Sequence, residues 1–354
     1  MTELSSNSAL EIKVKHRQWV TAFKDAFAVL SMASPGDVVC IVGPSRAGKT
    51  RLVRELKARL EDGNNYDETG LLPVVSVEAV NAGPNGTFST KAFIQRMLEA
   101  VRHPMLSMDR QGEFSVGAAQ KIDRSTEATL RLALERAFKH RGCRYLFIDE
   151  AQHARYASKS SQAPHAVMDS WKCLAQTSGL VLVLVGAYPI LEVLRNSPHM
   201  LGRKTQIHLP RYGNSTEDVV EFARIISAFE RAMKPYVDAN FLVSQAPFLH
   251  ERTCGCIGLL KACLKHALTI AQVNQRTVDM ALLEAATMSD SDMLEISREI
   301  TEGERMLFSS PSAKRALVSS PAPPPKSKTK KKGEGPFRRN PIRHTPGHRT
   351  GAGK

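Results

Sequence analysis

The residues best suited to chemistry sit in one stretch, Gly43–Thr50, which reads GPSRAGKT and fits the pattern G-x-x-x-x-G-K-[ST] of a phosphate-binding loop. Each residue type has a task there. Gly43 and Gly48 let the backbone close around a phosphate, so that successive N–H groups and a helix N-terminus point at the anion. The Lys49 ammonium reaches the β- and γ-phosphates of ATP, and the Thr50 hydroxyl is a ligand for Mg²⁺. Pro44, Ser45, Arg46 and Ala47 complete the loop and Arg51 follows it, so 43–51 is the expected nucleotide-binding segment. A second signal, Arg144–Glu150 (RYLFIDE), is an apolar run that ends in two carboxylates, the Walker B form. Adjacent acids at a strand end are costly without a cation partner. Asp149 is expected to hold Mg²⁺ through the metal's water shell, and Glu150 to polarise an attacking water.

These residues need a scaffold, and the flanking sequence supplies one. Asp37–Val42 (DVVCIV) reads as a buried strand before the loop, and Arg51–Leu60 as a helix after it. Leu71–Glu78, Arg144–Glu150, Leu180–Val185 and Thr205–Pro210 read as further strands. Helices are expected at Lys91–Val101 (capped by Ser89 or Thr90), Thr126–His140, Met168–Gln176 and from Ile190; His103–Gly117 reads as loop. Alternation of this kind predicts an α/β fold with a five-stranded parallel sheet, right-handed crossovers and both faces covered. Ligands of such sheets bind at the carboxyl ends of the strands, where both motifs fall. From Thr216 the pattern turns helical (Thr216–Met233, Phe241–His250, Cys256–Val273, Thr277–Met288), and Ser291–Phe308 reads as one further charged helix. Ahead of the sheet, Leu10–Met32 reads as an amphipathic helix, for packing or for a partner. The expected divisions are 1–34, 35–213, 214–290, 291–308 and 309–354: an N-terminal helix, an α/β nucleotide-binding domain, a helical lid, an extra helix and a tail.

Charge is unevenly spread. Residues 309–354 hold 12 Lys/Arg and one Glu, and the other 308 residues hold 37 basic and 34 acidic groups. The basic character therefore lives in the tail, where Pro, Ser, Lys and Arg dominate and no core is possible; it reads as disordered. It suits non-specific DNA screening, or a tether to a partner. No apolar run reaches the length of a membrane helix, and MTELSSNSAL lacks the order of a signal peptide, which predicts a soluble, cytoplasmic protein. Cys254, Cys256, Cys263 and His266 have a spacing that is not a common zinc pattern. No zinc finger, helix-turn-helix or basic zipper appears, so sequence-specific DNA readout is not expected.

Two Walker motifs, a fourth apolar strand, a fifth strand and a small helical lid resemble the AAA+ ATPases. Within them the chain is similar to the TniB/TnsC family, the bacterial ATP-dependent regulators of DNA transposition. The carrying residues are GPSRAGKT (43–50), LFIDEAQH (146–153), LVGAYP (184–189), HLPRY (208–212) and TCGCIGLLKACLKHAL (253–268). The resemblance spans roughly residues 10–290. It implies a homo-oligomer, a ring or filament of hexameric or heptameric repeat, that forms on duplex DNA with ATP. It further implies a link between a target selector and transposase subunits, dismantled by hydrolysis. Catalysis would combine Lys49 and Glu150 with an arginine from the neighbouring subunit, and Arg203 sits where the family pattern places it, with Arg195 and Lys204 as competitors. For DNA contacts the resemblance points to Lys91, Lys121 and Arg124. The chain departs from the AAA+ pattern twice. The fourth strand ends Val185-Gly186-Ala187-Tyr188, so the usual polar water-positioning residue is missing or is Tyr188. The arginine that usually opens the lid helix is missing too, Lys261 being the nearest cation. Both departures predict slow hydrolysis, suited to a timer. The rival readings are a nucleotide-gated scaffold with little hydrolysis and a motor or remodelling ATPase.

Overall fold

The structure is a computed structural model and describes residues 14–61, 63–104, 124–157, 163–195 and 204–308. Five strands, β1 (Val38–Val42), β2 (Val74–Glu78), β3 (Tyr145–Asp149), β4 (Val181–Gly186) and β5 (Lys204–His208), pair parallel in the order β2-β3-β4-β1-β5. Every residue of β1, β3 and β4 is buried, which explains why these strands are apolar along their length up to Asp149 at the end of β3. Side chains alternate between two cores. Val39, Ile41, Phe147 and Val183 face one layer with α1 (Arg17–Met32) and α2 (Lys49–Glu61). Cys40, Val42, Ile148 and Leu184 face the other, with α3 (Thr90–Ala100), α4 (Glu127–His140), α5 (Ala163–Ser178) and α6 (Ile190–Arg195). In register, Val42 lies beside both Gly186 and His208, and Glu78 lies beside Asp149. The carboxyl ends of all five strands thus share one edge, with the phosphate-loop sequence and the acidic pair on it.

The longer helices after the sheet are α7 (Thr216–Ala232), α8 (Ala246–Arg252), α9 (Ile257–Val273), α10 (Met280–Ala286) and α11 (Asp290–Phe308). The first four gather a core of their own around Phe222, Ile226, Phe229, Leu260 and Leu264. Glu230 is buried inside it and accepts backbone hydrogen bonds from Asn240, Leu242 and Val243, which holds the turn that follows α7. No single helix among the described residues is long and apolar enough to cross a membrane.

Three elements differ from their sequence reading. The first helix begins at Arg17 and not at Leu10, because His16 is extended and caps it while the Val14 carbonyl is taken by Arg51; residues 1–13 lie outside the described residues. Phe241–His250 is two pieces, a turn at Phe241–Ser244 and α8, since Pro247 lacks the N–H that a continuous helix needs. The charged helix α11 is no appendage: Ile300 is buried and Met306 and Leu307 pack on the sheet core. The tail 309–354 lies outside the described residues.

Candidate nucleotide site

The loop between β1 and α2 crosses the carboxyl edge of the sheet. Gly48 sits at φ +100°, open to glycine and strained for any other residue. Gly43 is needed for a different reason: a Cβ there would lie 2.3 Å from the Leu209 carbonyl oxygen at the end of β5. Arg46 also takes a left-handed conformation (φ 59°) and offers its carbonyl to the Gly258 N–H at 3.0 Å, which ties the loop to the start of α9.

Lys49 is only 6% exposed. Its ammonium donates to the carbonyl oxygens of Gly43 (3.1 Å) and Pro44 (2.8 Å), two neutral acceptors. Burial pulls its pKa below the usual lysine value, against the carboxylates of Glu150, Asp149 and Glu299, which favour the charged form. A buried cation facing carboxylates, with no ion-pair partner within salt-bridge distance among the described residues, is the electrostatic setting for a bound polyanion. Asp149 Oδ2 accepts from the Thr50 hydroxyl at 3.0 Å and Oδ1 from the Glu150 N–H at 2.9 Å. Burial raises the Asp149 pKa, while those two hydrogen bonds lower it. The Thr50 and Asp149 donors are hard oxygens on the pocket wall, the donor type that Mg²⁺ selects, so the residues fit the ion that the motifs imply.

Glu150 follows β3 at φ 52° and begins the short 3₁₀ turn Ala151–Tyr156. The side chain of Gln152 reaches its carboxylate from that turn. His153 places Nδ1 at 2.8 Å from the Ala79 carbonyl, which requires that nitrogen to carry the proton. On the other side of the loop, Ser45 Oγ donates to both carboxylate oxygens of Glu299 on α11, at 3.3 and 3.2 Å. Arg211 pairs with Glu304 of the same helix at 2.8 and 3.1 Å.

The structure thus brings Lys49, Thr50, Asp149 and Glu150 to one pocket. It turns Arg51 elsewhere: its guanidinium lies 5.2 Å from the Trp19 ring centroid and donates to Val14. Tyr188 is also turned away, its hydroxyl 2.9 Å from His208 Nε2. Lys91 opens α3, and Arg124 precedes α4, whose Glu127 accepts from Thr90 at 2.8 Å. Lys121 and Arg203 lie outside the described residues, as do the side chains of Arg195 and Lys204. Cys256 belongs to the sheet core and Cys263 to the lid core, so they do not share a site, and among the described residues no group of three or more metal-ligating side chains converges. Sequence reading missed Gln152, Ser45's partner Glu299, and His16.

The family model of the AAA domain matches residues 33–194. This stretch is similar to an AAA domain. It carries the loop, the acidic pair and β1 through β4, and with β5 and the helical layer it completes the P-loop AAA+ fold. Solved structures with this fold include the ORC1 protein of Aeropyrum pernix in complex with DNA, at 17% identity over 80% of this chain and 67% of that one, with a TM-score of 0.53. The ORC2 protein of the same organism, in ADPNP and ADP complexes, is similar at 15% identity over 79% and 71%, with a TM-score of 0.52. A Walker-type ATPase of Pyrococcus abyssi aligns over 90% of both chains at 14% identity and a TM-score of 0.49. The likeness to the two ORC proteins, at these identities, shows the fold alone. Comparison with curated proteins returned no match.

Proposed function

We propose that the chain is a Mg²⁺-dependent ATPase that assembles on duplex DNA and regulates transposition, joining a target selector to transposase subunits and letting go on hydrolysis. The observation that carries the ATPase reading is the pocket in which buried Lys49 meets Thr50, Asp149 and Glu150. Lys49, the loop N–H groups of 43–51 and Thr50 would hold the triphosphate, and Thr50 and Asp149 the Mg²⁺, which neutralises charge on the phosphates. Glu150 would orient a water whose oxygen bonds to the γ-phosphorus. The bond to the β–γ bridging oxygen breaks, ADP leaves with the electron pair, and the water's proton passes to the carboxylate and then to solvent. Arg203 of a neighbouring subunit would meet the developing charge.

DNA binding is supported by the relative solved in complex with DNA and by the basic composition of 309–354. The transposition role rests on the resemblance carried by LFIDEAQH, LVGAYP and HLPRY. One observation favours the second reading, a nucleotide-gated scaffold: Glu299 sets a negative charge on Ser45 of the phosphate loop. Substitution Glu150→Gln separates the two. If hydrolysis is a release timer, the variant binds ATP, loses turnover, and lengthens the lifetime of the DNA-bound assembly seen by electron microscopy. An unchanged lifetime favours the scaffold, and failure to bind ATP at all ends the ATPase reading.

A further inference from the structure

The gap at the end of β4 is filled from the neighbouring strand. Gln152, in the 3₁₀ turn after β3, spans the space between the two strand ends. Its Oε1 accepts from the Ala187 N–H at 3.1 Å, and its Nε2 donates to Glu150 Oε2. Partner chemistry fixes the orientation of the amide: a backbone N–H can only donate and a carboxylate can only accept, so neither end can be exchanged. Gly186 makes room for it. A Cβ at 186 would stand 2.4 Å from Gln152 Oε1, so any side chain at that strand end would evict the amide. The end of β4, which carries no polar side chain at 186 or 187, is thus supplied with one from the turn after β3.

We infer that Gln152 is the positioning residue for Glu150, resting on the ATPase reading above. Glu150 directly follows Asp149, whose carboxylate accepts from Thr50 of the phosphate loop and from the Glu150 N–H, so the carboxylate held by Gln152 stands beside the loop. One donated hydrogen bond occupies one lone pair of Oε2 and leaves Oε1 to take a water. The amide adds no charge beside Lys49 or Asp149. Tyr188, the other polar side chain at this strand end, is engaged with His208 and covered by α11, where a Cβ at Gly303 would lie 2.0 Å from its ring.

The test measures steady-state hydrolysis and binding of a fluorescent ATP analogue on the full chain and its variants, with thermal melting alongside. Gln152→Ala is expected to lower kcat by about tenfold or more while KM and analogue affinity stay within about twofold, since misplacing a reacting group by an ångström costs up to about a hundredfold. Gly186→Ala leaves the amide in the chain but displaces it, and is expected to reproduce that split. Gln152→Glu keeps the acceptor for Ala187 but sets a like charge against Glu150 in place of a donor, and is expected to show the same split. A Gln152→Ala kcat equal to wild type overturns the assignment. So does a loss of kcat matched by an equal loss of affinity, or a Gln152→Glu kcat equal to wild type. A wild-type chain that binds no nucleotide removes the ATPase reading together with this one, whereas turnover that survives Glu150→Gln leaves the ATPase reading standing and overturns this one.

Discussion

His16 shows how much one side chain outside the pocket can matter. It is 5% exposed, caps α1 through Nδ1, and meets the Tyr212 hydroxyl at 3.0 Å. Burial lowers its pKa from 6.5 to about 4, with Arg51 and Arg224 pushing the same way and Glu221 opposing them. In the unfolded chain it takes up a proton below pH 6.5, whereas the folded chain resists until about pH 4. The stability contributed by the neutral ring is thus complete above 6.5 and is lost as pH falls through that window, by about 3 kcal/mol in all. Urea unfolding across the window should show the fall, and His16→Gln should flatten it; parallel curves would place the titration elsewhere. At this scale the sequence was legible where chemistry dictates spacing. Phosphate loops tolerate few residue types, so Gly43, Gly48, Lys49 and Thr50 stand out, as do paired acids closing an apolar strand. Gln152 lay within a quoted motif, yet its task depends on Gly186, 34 residues on, a pairing that only β3 beside β4 creates.

Elements were legible to the extent that burial shaped them. The strands were found because two-sided burial demands continuous apolar runs, and α4 and α7 because one apolar face repeats at helical spacing. The start of α1 was not, since its cap is a histidine whose partner, Tyr212, comes 196 residues later. Nor was the seat of α11. It read only as a further charged helix, but Glu299 holds Ser45, Glu304 holds Arg211, Gly303 lies on the Tyr188 ring and Phe308 stands edge-on to His208 at 5.8 Å. The helix therefore sets an anion at the loop that the proposed triphosphate must share. Replacing Glu299 by Gln removes the like-charge penalty and keeps a hydrogen-bonding group. ATP-analogue affinity should rise about threefold to tenfold, roughly 1 kcal/mol. Titration at equal ionic strength checks this, and an affinity equal to or weaker than wild type would sink the idea that α11 opposes the nucleotide.

For the molecule as a whole, charge is divided between a near-neutral body and a basic tail. If the tail supplies the proposed DNA contacts, truncation after Phe308 should make the dependence of log affinity on log salt shallower by about 0.9 for each phosphate it neutralises. An unchanged slope would move those contacts to the body, with Lys91 and Arg124 as first suspects. The same chain order that leads to the tail has a mechanical result. The lid departs from the sheet after β5, where the Tyr212 N–H meets Gly255 and its carbonyl meets His250. It returns through α11, which is packed on the sheet core. A flap fixed along two seams cannot swing on one hinge. To open, it must part the Arg211–Glu304 pair and slide Gly303 off Tyr188 in the same movement, so intermediate openings gain nothing. If the chain holds nucleotide as proposed, its exchange is expected to run at the pace of that single concerted release, with a rate that does not rise with the concentration of the incoming nucleotide.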